Sequence, residues 1–95
     1  MTEVFATFVD VILPLYVPKL FTYRVADNLV EQITLGKRVS VQFGKSKVYA
    51  AIIAKVHNTP PKNYEAKYLL SVLDDEPIIN IEQLKFWQWI SDYYL

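Results

Sequence analysis

Short stretches in which apolar and polar residues alternate set the tightest limit on what this chain folds into. Phe21, Tyr23 and Val25 fall on one side of their segment, with Thr22 and Arg24 on the other. Val39, Val41 and Phe43 oppose Ser40 and Gln42 in the same way. A period of two is the repeat of a half-buried strand, and a helix cannot hold such a set on one face. Residues 5–13 read as a strand too, with Phe5, Val9, Val11 and Leu13 on one face and Phe8, Asp10 and Ile12 on the other. Val48 to Val56 is apolar on both faces apart from Tyr49 and Lys55, which predicts a central strand covered on both sides. Tyr68 to Leu73 predicts a last short strand. Gly36 marks a turn, and Gly44-Lys45-Ser46-Lys47 has the make-up of a hairpin loop. Pro14 and Pro18 make Pro14 to Leu20 a loop, and Asn58 to Asn63 is another. Residues 26–35 are polar and mixed, a turn or short irregular helix.

The pattern changes near the end. Asp74-Asp75-Glu76-Pro77 stops the last strand and reads as a solvated turn. Asn80 and Gln83 form a capping pair that predicts a helix from Ile81 onward. Its apolar arc, with Ile81, Leu84, Phe86, Trp87, Trp89, Ile90, Tyr93 and Tyr94, is wide enough to need cover on more than one side. The pattern is still running at Leu95 with no cap, so the sequence is expected to be the front piece of a longer protein. The fold class is therefore mostly β (α+β), with residues 1–95 forming one domain. A chain of 95 residues, 53% of them apolar, buries roughly two thirds of its unfolded surface and holds one modest core.

Much chemistry is excluded. With no cysteine there is no disulfide, no thiolate nucleophile and no cysteine-ligated zinc, and a reducing compartment is permitted. His57 is the one histidine, too little material for a two-histidine metal site or a nucleophile relay, and it reads as a solvent-facing loop residue. The longest apolar run, Val48 to Ala54, is far short of a membrane span, and Glu3 and Asp10 interrupt what a signal peptide would require. Gly44-Lys45-Ser46 mimics the tail of a nucleotide-binding P-loop. The required earlier glycine is Val39, however, and the segment leads into a strand instead of opening a helix.

Net charge is zero, but the charges are not evenly spread. Residues 37–67 carry Lys37, Arg38, Lys45, Lys47, Lys55, Lys62 and Lys67 against Glu65 alone. A local cationic face attracts polyanions even when the total charge vanishes, because salt screens beyond about 8–10 Å. The segment reads either as a solvated lysine-rich surface or as an anion-binding face. Phe21, Tyr23, Tyr49, Tyr64 and Tyr68 lie in or beside it, and exposed rings beside cations are what a single nucleic-acid strand requires. Phe21 and Tyr23 also fit the inward face of their strand, and Gly44 permits close backbone approach or simply makes a turn.

Leu20-Phe21-Thr22-Tyr23, then Gly36-Lys37-Arg38-Val39-Ser40-Val41-Gln42-Phe43-Gly44, then Leu73-Asp74-Asp75-Glu76-Pro77 and Trp89-Ile90-Ser91-Asp92-Tyr93-Tyr94 are, in this order and spacing, similar to the start of the PriA family of bacterial primosomal replication-restart helicases (primosomal protein N′). The likeness runs from about Val9 to Tyr94. It implies a small antiparallel OB-like β-barrel with a C-terminal helix. It also implies a non-catalytic, cytoplasmic domain that binds the 3′-hydroxyl end of the nascent leading strand at stalled forks. The helicase motor with its ATP and Mg, a zinc region, and contacts to other primosome proteins are implied for a longer protein, with no cofactor and no membrane contact for this segment. By motif position the resemblance places the terminal nucleotide against Phe21, Thr22, Tyr23, Gly44 and Lys67. Lys67 would neutralise a phosphate, Lys45 and Lys47 would stand at the rim, and Thr22 would touch base or sugar. Well-known relatives have aspartate at the position of Thr22 and proline at that of Gln42; a carboxylate only accepts hydrogen bonds, whereas a hydroxyl also donates. The rival readings are a protein-interaction module built on the aromatic helix and an OB-type domain that follows single-stranded DNA without reading its end.

Overall fold

A computed structural model of the chain describes residues 6–13, 19–80, 82–86 and 89. Five strands form one sheet: β1 (Thr7–Leu13), β2 (Lys19–Val25), β3 (Arg38–Phe43), β4 (Lys47–His57) and β5 (Ser71–Val72). Their order across the sheet is β2-β1-β4-β3-β5, with every neighbouring pair antiparallel. A six-residue 3-10 helix, Asp27–Gln32, follows β2 where a turn or short irregular helix is predicted. The chain around Lys19 and Leu20 is strand where the sequence predicts loop; residues 14–18 of that predicted loop lie outside the described residues. Phe5 likewise lies outside them.

Alternation translates directly into the core. Val9, Val11 and Leu13 of β1, Tyr23 and Val25 of β2, Val39 and Val41 of β3, and Ala51 and Ile53 of β4 pack into one buried cluster with Leu69. A fully buried valine or leucine side chain contributes about 1.5–3 kcal/mol relative to exposure, so this cluster dominates the stability. β4 lies between β1 and β3, as its two-sided apolar character predicts. The second faces of β1 and β4 are covered only in part, since Val48 and Ala50 of β4 stay exposed where the sequence predicts cover on both sides. Ile12 and Ala54 form a smaller buried cluster with Leu84, flanked by Leu20, Ile52 and Ile79. Leu84 belongs to helical residues 82–86, so the helix packs on the outside of the sheet at β1 and β4.

The predicted cap is present. The Asn80 side-chain oxygen accepts from Gln83 N–H (2.8 Å) and the Gln83 side-chain oxygen from Asn80 N–H (2.9 Å), a reciprocal pair that satisfies two otherwise free amides. Much of the predicted helical arc, including Ile81, Trp87, Ile90, Tyr93 and Tyr94, lies outside the described residues. Phe86 and Trp89 are exposed and their rings stack at 6.4 Å.

The five strands do not close into a continuous ring. β2 and β5 are the two edges, and the extended residues 67–73 run along the gap between them. Arg24 N–H donates to Lys67 O (2.8 Å) and Leu69 N–H to Arg24 O (2.9 Å), a single parallel bridge. Leu70 N–H then donates to Ser40 O and Leu73 N–H to Arg38 O, both at 2.8 Å. The predicted strand Tyr68 to Leu73 thus divides its hydrogen bonds between β2 and β3, and only Ser71–Val72 forms a ladder. The architecture is an OB-like open barrel whose seam is stitched by residues 67–69. A register shift between Asp10 and Val11 leaves Ala54 as an extra residue in β4, a bulge of the kind that bends a strand and helps a sheet curl.

Two expectations about the charged segments change. Asp74 is not a freely solvated turn residue. Its carboxylate takes Arg38 N–H at 2.8 Å and the guanidinium Nε and Nη2 at 3.1 and 2.9 Å, pinning the end of the 67–73 segment to the start of β3. These bonds hold the Asp74 carboxyl below its ordinary range and push the Arg38 guanidinium up. Lys37 is buried, with its ammonium donating to Gln32 O at 3.0 Å. Lys37 and Arg38 therefore serve the fold, Arg38 from an exposed position, while Lys45, Lys47, Lys55, Lys62 and Lys67 are the exposed lysines of the middle third.

Candidate nucleic-acid interface

Where the seam opens there is a cavity of about 290 Å³, lined by Phe21, Thr22, Tyr23, Gln42, Phe43, Gly44, Tyr64, Glu65 and Lys67. Its origin lies in the edge of β2. Alternate residues of an edge strand turn their main-chain groups outward. Arg24 uses its pair to bind residues 67–69, and Thr22 is the next residue in that row. At Thr22 the backbone pairing has stopped. Its N–H donates instead to the phenol oxygen of Tyr64 at 2.9 Å, and the space left between strand edge and irregular segment is the cavity.

The walls are tied across the gap. Tyr23 reaches through the barrel and donates its hydroxyl to Gln42 O at 2.8 Å. Burial, with the nearby Tyr64 phenol adding to it, pushes the Tyr23 hydroxyl above its ordinary value, so it remains a donor. Phe21 packs edge-on against Phe43 with ring centres 4.9 Å apart, joining β2 to the end of β3. Gln42 donates from its side-chain amide to Lys45 O at 2.9 Å and so pins the turn of residues 44–46. Lys67 donates from its ammonium to Gly44 O at 3.2 Å. An ammonium has three protons, so this bond leaves two donors for a ligand.

Gly44 has φ +75°, in the left-handed region, and a side chain there would meet nothing within 4 Å. The turn needs glycine for its backbone angle, and the space beside it is open. Residues 44–46 are a turn between two strands, which removes the P-loop likeness on structural grounds as well.

Of the residues singled out in the sequence, Phe21, Thr22, Tyr23, Gly44 and Lys67 meet at one cavity. Lys45 and Lys47 are exposed on the adjoining turn and at the start of β4 but do not line it. Thr22 differs in the group it offers. Its side chain faces the opposite side of β2, where the hydroxyl donates to Asp10 Oδ1 at 2.7 Å, and its main-chain N–H is what reaches the cavity side. Asp10 and Thr22 are directly opposed across β1 and β2, in the kind of pair that brings side chains closest. The same Asp10 oxygen lies 2.8 Å from His57 Nε2, and His57 Nδ1 accepts from Thr59 N–H at 3.1 Å. With Nδ1 accepting, Nε2 carries the proton toward Asp10. His57 is thus the last residue of β4, stacked near Phe8, and not a loop residue in solvent. Gln42, Phe43, Tyr64 and Glu65 complete the lining. Phe43 and Gln42 were visible as the end of an alternating strand, and Tyr64 as one of the rings beside the cationic segment; nothing in the local pattern marked Glu65 as a wall residue.

A barrel of OB-like form with a ring-walled cavity at its seam and lysines around it defines a small ligand-binding β module. The family model described as the PriA 3′ DNA-binding domain (3′BD) matches residues 10–95, and the chain belongs to that family. It is a DNA-binding domain. No curated protein matches the chain at a significant level.

Proposed function

We propose that the cavity seats the terminal nucleotide of a DNA strand bearing a free 3′ hydroxyl, and that the strand is the nascent leading strand at a stalled fork. The observation that carries this reading is the cavity itself. At about 290 Å³ it matches the lower end of the range for small-ligand sites, about 300–1,000 Å³, which suits one nucleotide and not a run of them. Rings of Phe21, Tyr23, Phe43 and Tyr64 line it, and Lys67 stands among them as a phosphate partner. Thr22 acts through its main-chain amide, Gly44 by leaving space, and Lys45 and Lys47 by attracting the approaching strand. Glu65 also lines the cavity. A carboxylate tolerates a hydroxyl, which donates to it, and repels a terminal phosphate.

The segment acts by binding, without catalysis and without a cofactor of its own. Strand separation with ATP and Mg, a zinc region and contacts with other primosome proteins during replication restart belong, on this reading, to the rest of a longer helicase. Fluorescence anisotropy with two oligonucleotides, identical but for a 3′ hydroxyl or a 3′ phosphate, tests the end-binding step. The phosphorylated strand is expected to bind much more weakly. Equal affinity would leave a domain that follows single-stranded DNA without reading its end.

A further inference from the structure

The cavity has walls of two kinds. Phe21, Tyr23 and Phe43 are carried on strands and packed in or against the core. Tyr64 is carried by the irregular chain before the seam, is 48% exposed, and lines the same cavity. Its phenol oxygen accepts the Thr22 N–H, a strand-edge donor that a neighbouring backbone would otherwise take, from 42 residues away. A stacking platform needs a π-face that is partly uncovered and a position that is fixed. Half-exposure supplies the first and the Thr22 amide the second.

We infer that Tyr64 is the platform on which the base of the terminal nucleotide stacks, held in place by the Thr22 amide. This rests on the reading of the cavity as a strand-end site and adds to it the group that makes the terminal base count. Every base has a π-face, so a platform of this kind rewards the presence of a base without selecting its identity. The two engaged cross-strand groups of Thr22 then have separate tasks. The hydroxyl, bound to Asp10, fixes the outer face of the strand, and the N–H fixes Tyr64 over the cavity.

The test compares strands with a free 3′ hydroxyl whose last nucleotide is either intact or abasic, using the whole chain as wild type, Tyr64→Ala and Tyr64→Phe. Wild type is expected to bind the abasic end about 5- to 140-fold more weakly, the conversion of about 1–3 kcal/mol for one base–ring stack. Tyr64→Ala should bind both strands alike, while Tyr64→Phe, which keeps the ring but loses its tether to the Thr22 amide, keeps only part of the difference. A wild type indifferent to the missing base, or a Tyr64→Ala chain that keeps the full difference, overturns the inference. A Tyr64→Phe chain that discriminates as fully as wild type removes the Thr22 amide from the inference, because the ring would then need no tether. A parallel 3′-phosphate strand separates the two layers. If wild type ignores that group, the strand-end reading itself fails; if it discriminates and the base difference survives in Tyr64→Ala, the role of Tyr64 alone is lost.

Discussion

The Lys67 ammonium donates to the main-chain oxygen of Gly44 over 3.2 Å, so the cation of the cavity is fastened to the turn on its far lip. Among the described residues lining the cavity it is the one positive side chain. The contact restricts the Lys67 side chain before a ligand arrives, and less side-chain freedom is then lost on binding.

Lys67→Ala should therefore weaken DNA binding and also change its salt dependence. Removal of one phosphate contact to a single strand lowers the slope of log affinity against log salt by about 0.7. Titrations at several salt concentrations check this. A weaker but equally steep dependence would mean that Lys67 shapes the lip without touching phosphate.

The two glycines should respond differently to alanine. Gly36 has φ +90°, and an added Cβ would lie 2.5 Å from Ile79 O and 3.1 Å from the Pro77 side chain. Gly36→Ala combines backbone strain with a collision against main chain and should cost more than about 2 kcal/mol in denaturant unfolding. Gly44→Ala meets open space and should cost only the strain, about 1–2 kcal/mol. Its larger effect is expected in DNA binding, because the methyl group stands at the mouth of the cavity.

Two groups give opposite pH signatures. The Asp74 carboxyl is lowered from 3.8, chiefly by its hydrogen bonds to Arg38. Its contribution is present above that ordinary value and is lost as pH falls through the lower folded value. Asp74→Asn should flatten the acid limb of a melting-temperature profile in that window. The Tyr23 hydroxyl is raised from 10.0 by burial and then by Tyr64. Its contribution is complete below the ordinary value and is lost as pH rises through the higher folded one. Tyr23→Phe should flatten the alkaline limb and, by removing the bond to Gln42 O, cost about 1 kcal/mol at neutral pH.

What could be read in advance was local. A period of two assigns faces, so Val39 and Val41 inward, β4 in the middle and the turn at Gly44 all follow from neighbours in sequence. The Asn80–Gln83 cap is local as well. Contacts across the seam are not. No pattern tells which edge strand meets residues 67–69, and Tyr64 reaches Thr22 through a main-chain amide that every residue except proline possesses. Alternation correctly turned the Thr22 side chain away from Phe21, but outward did not mean available, because Asp10 stands opposite on β1. Lys37 misleads for a related reason. Its charge is visible in the sequence, while the Gln32 carbonyl that accepts from its ammonium depends on how the 3-10 helix folds back. The cavity residues that resemblance placed together do share a wall, though Lys45 and Lys47 stand outside it.

The stitched seam has a mechanical consequence. Its banks, the edge of β2 and the turn after β3, are joined near the cavity by a few side-chain ties and one parallel bridge. Whatever settles between them spans both banks at once and works as a removable rivet. Loading should be visible as a later, concentration-dependent melt, with little change in overall shape.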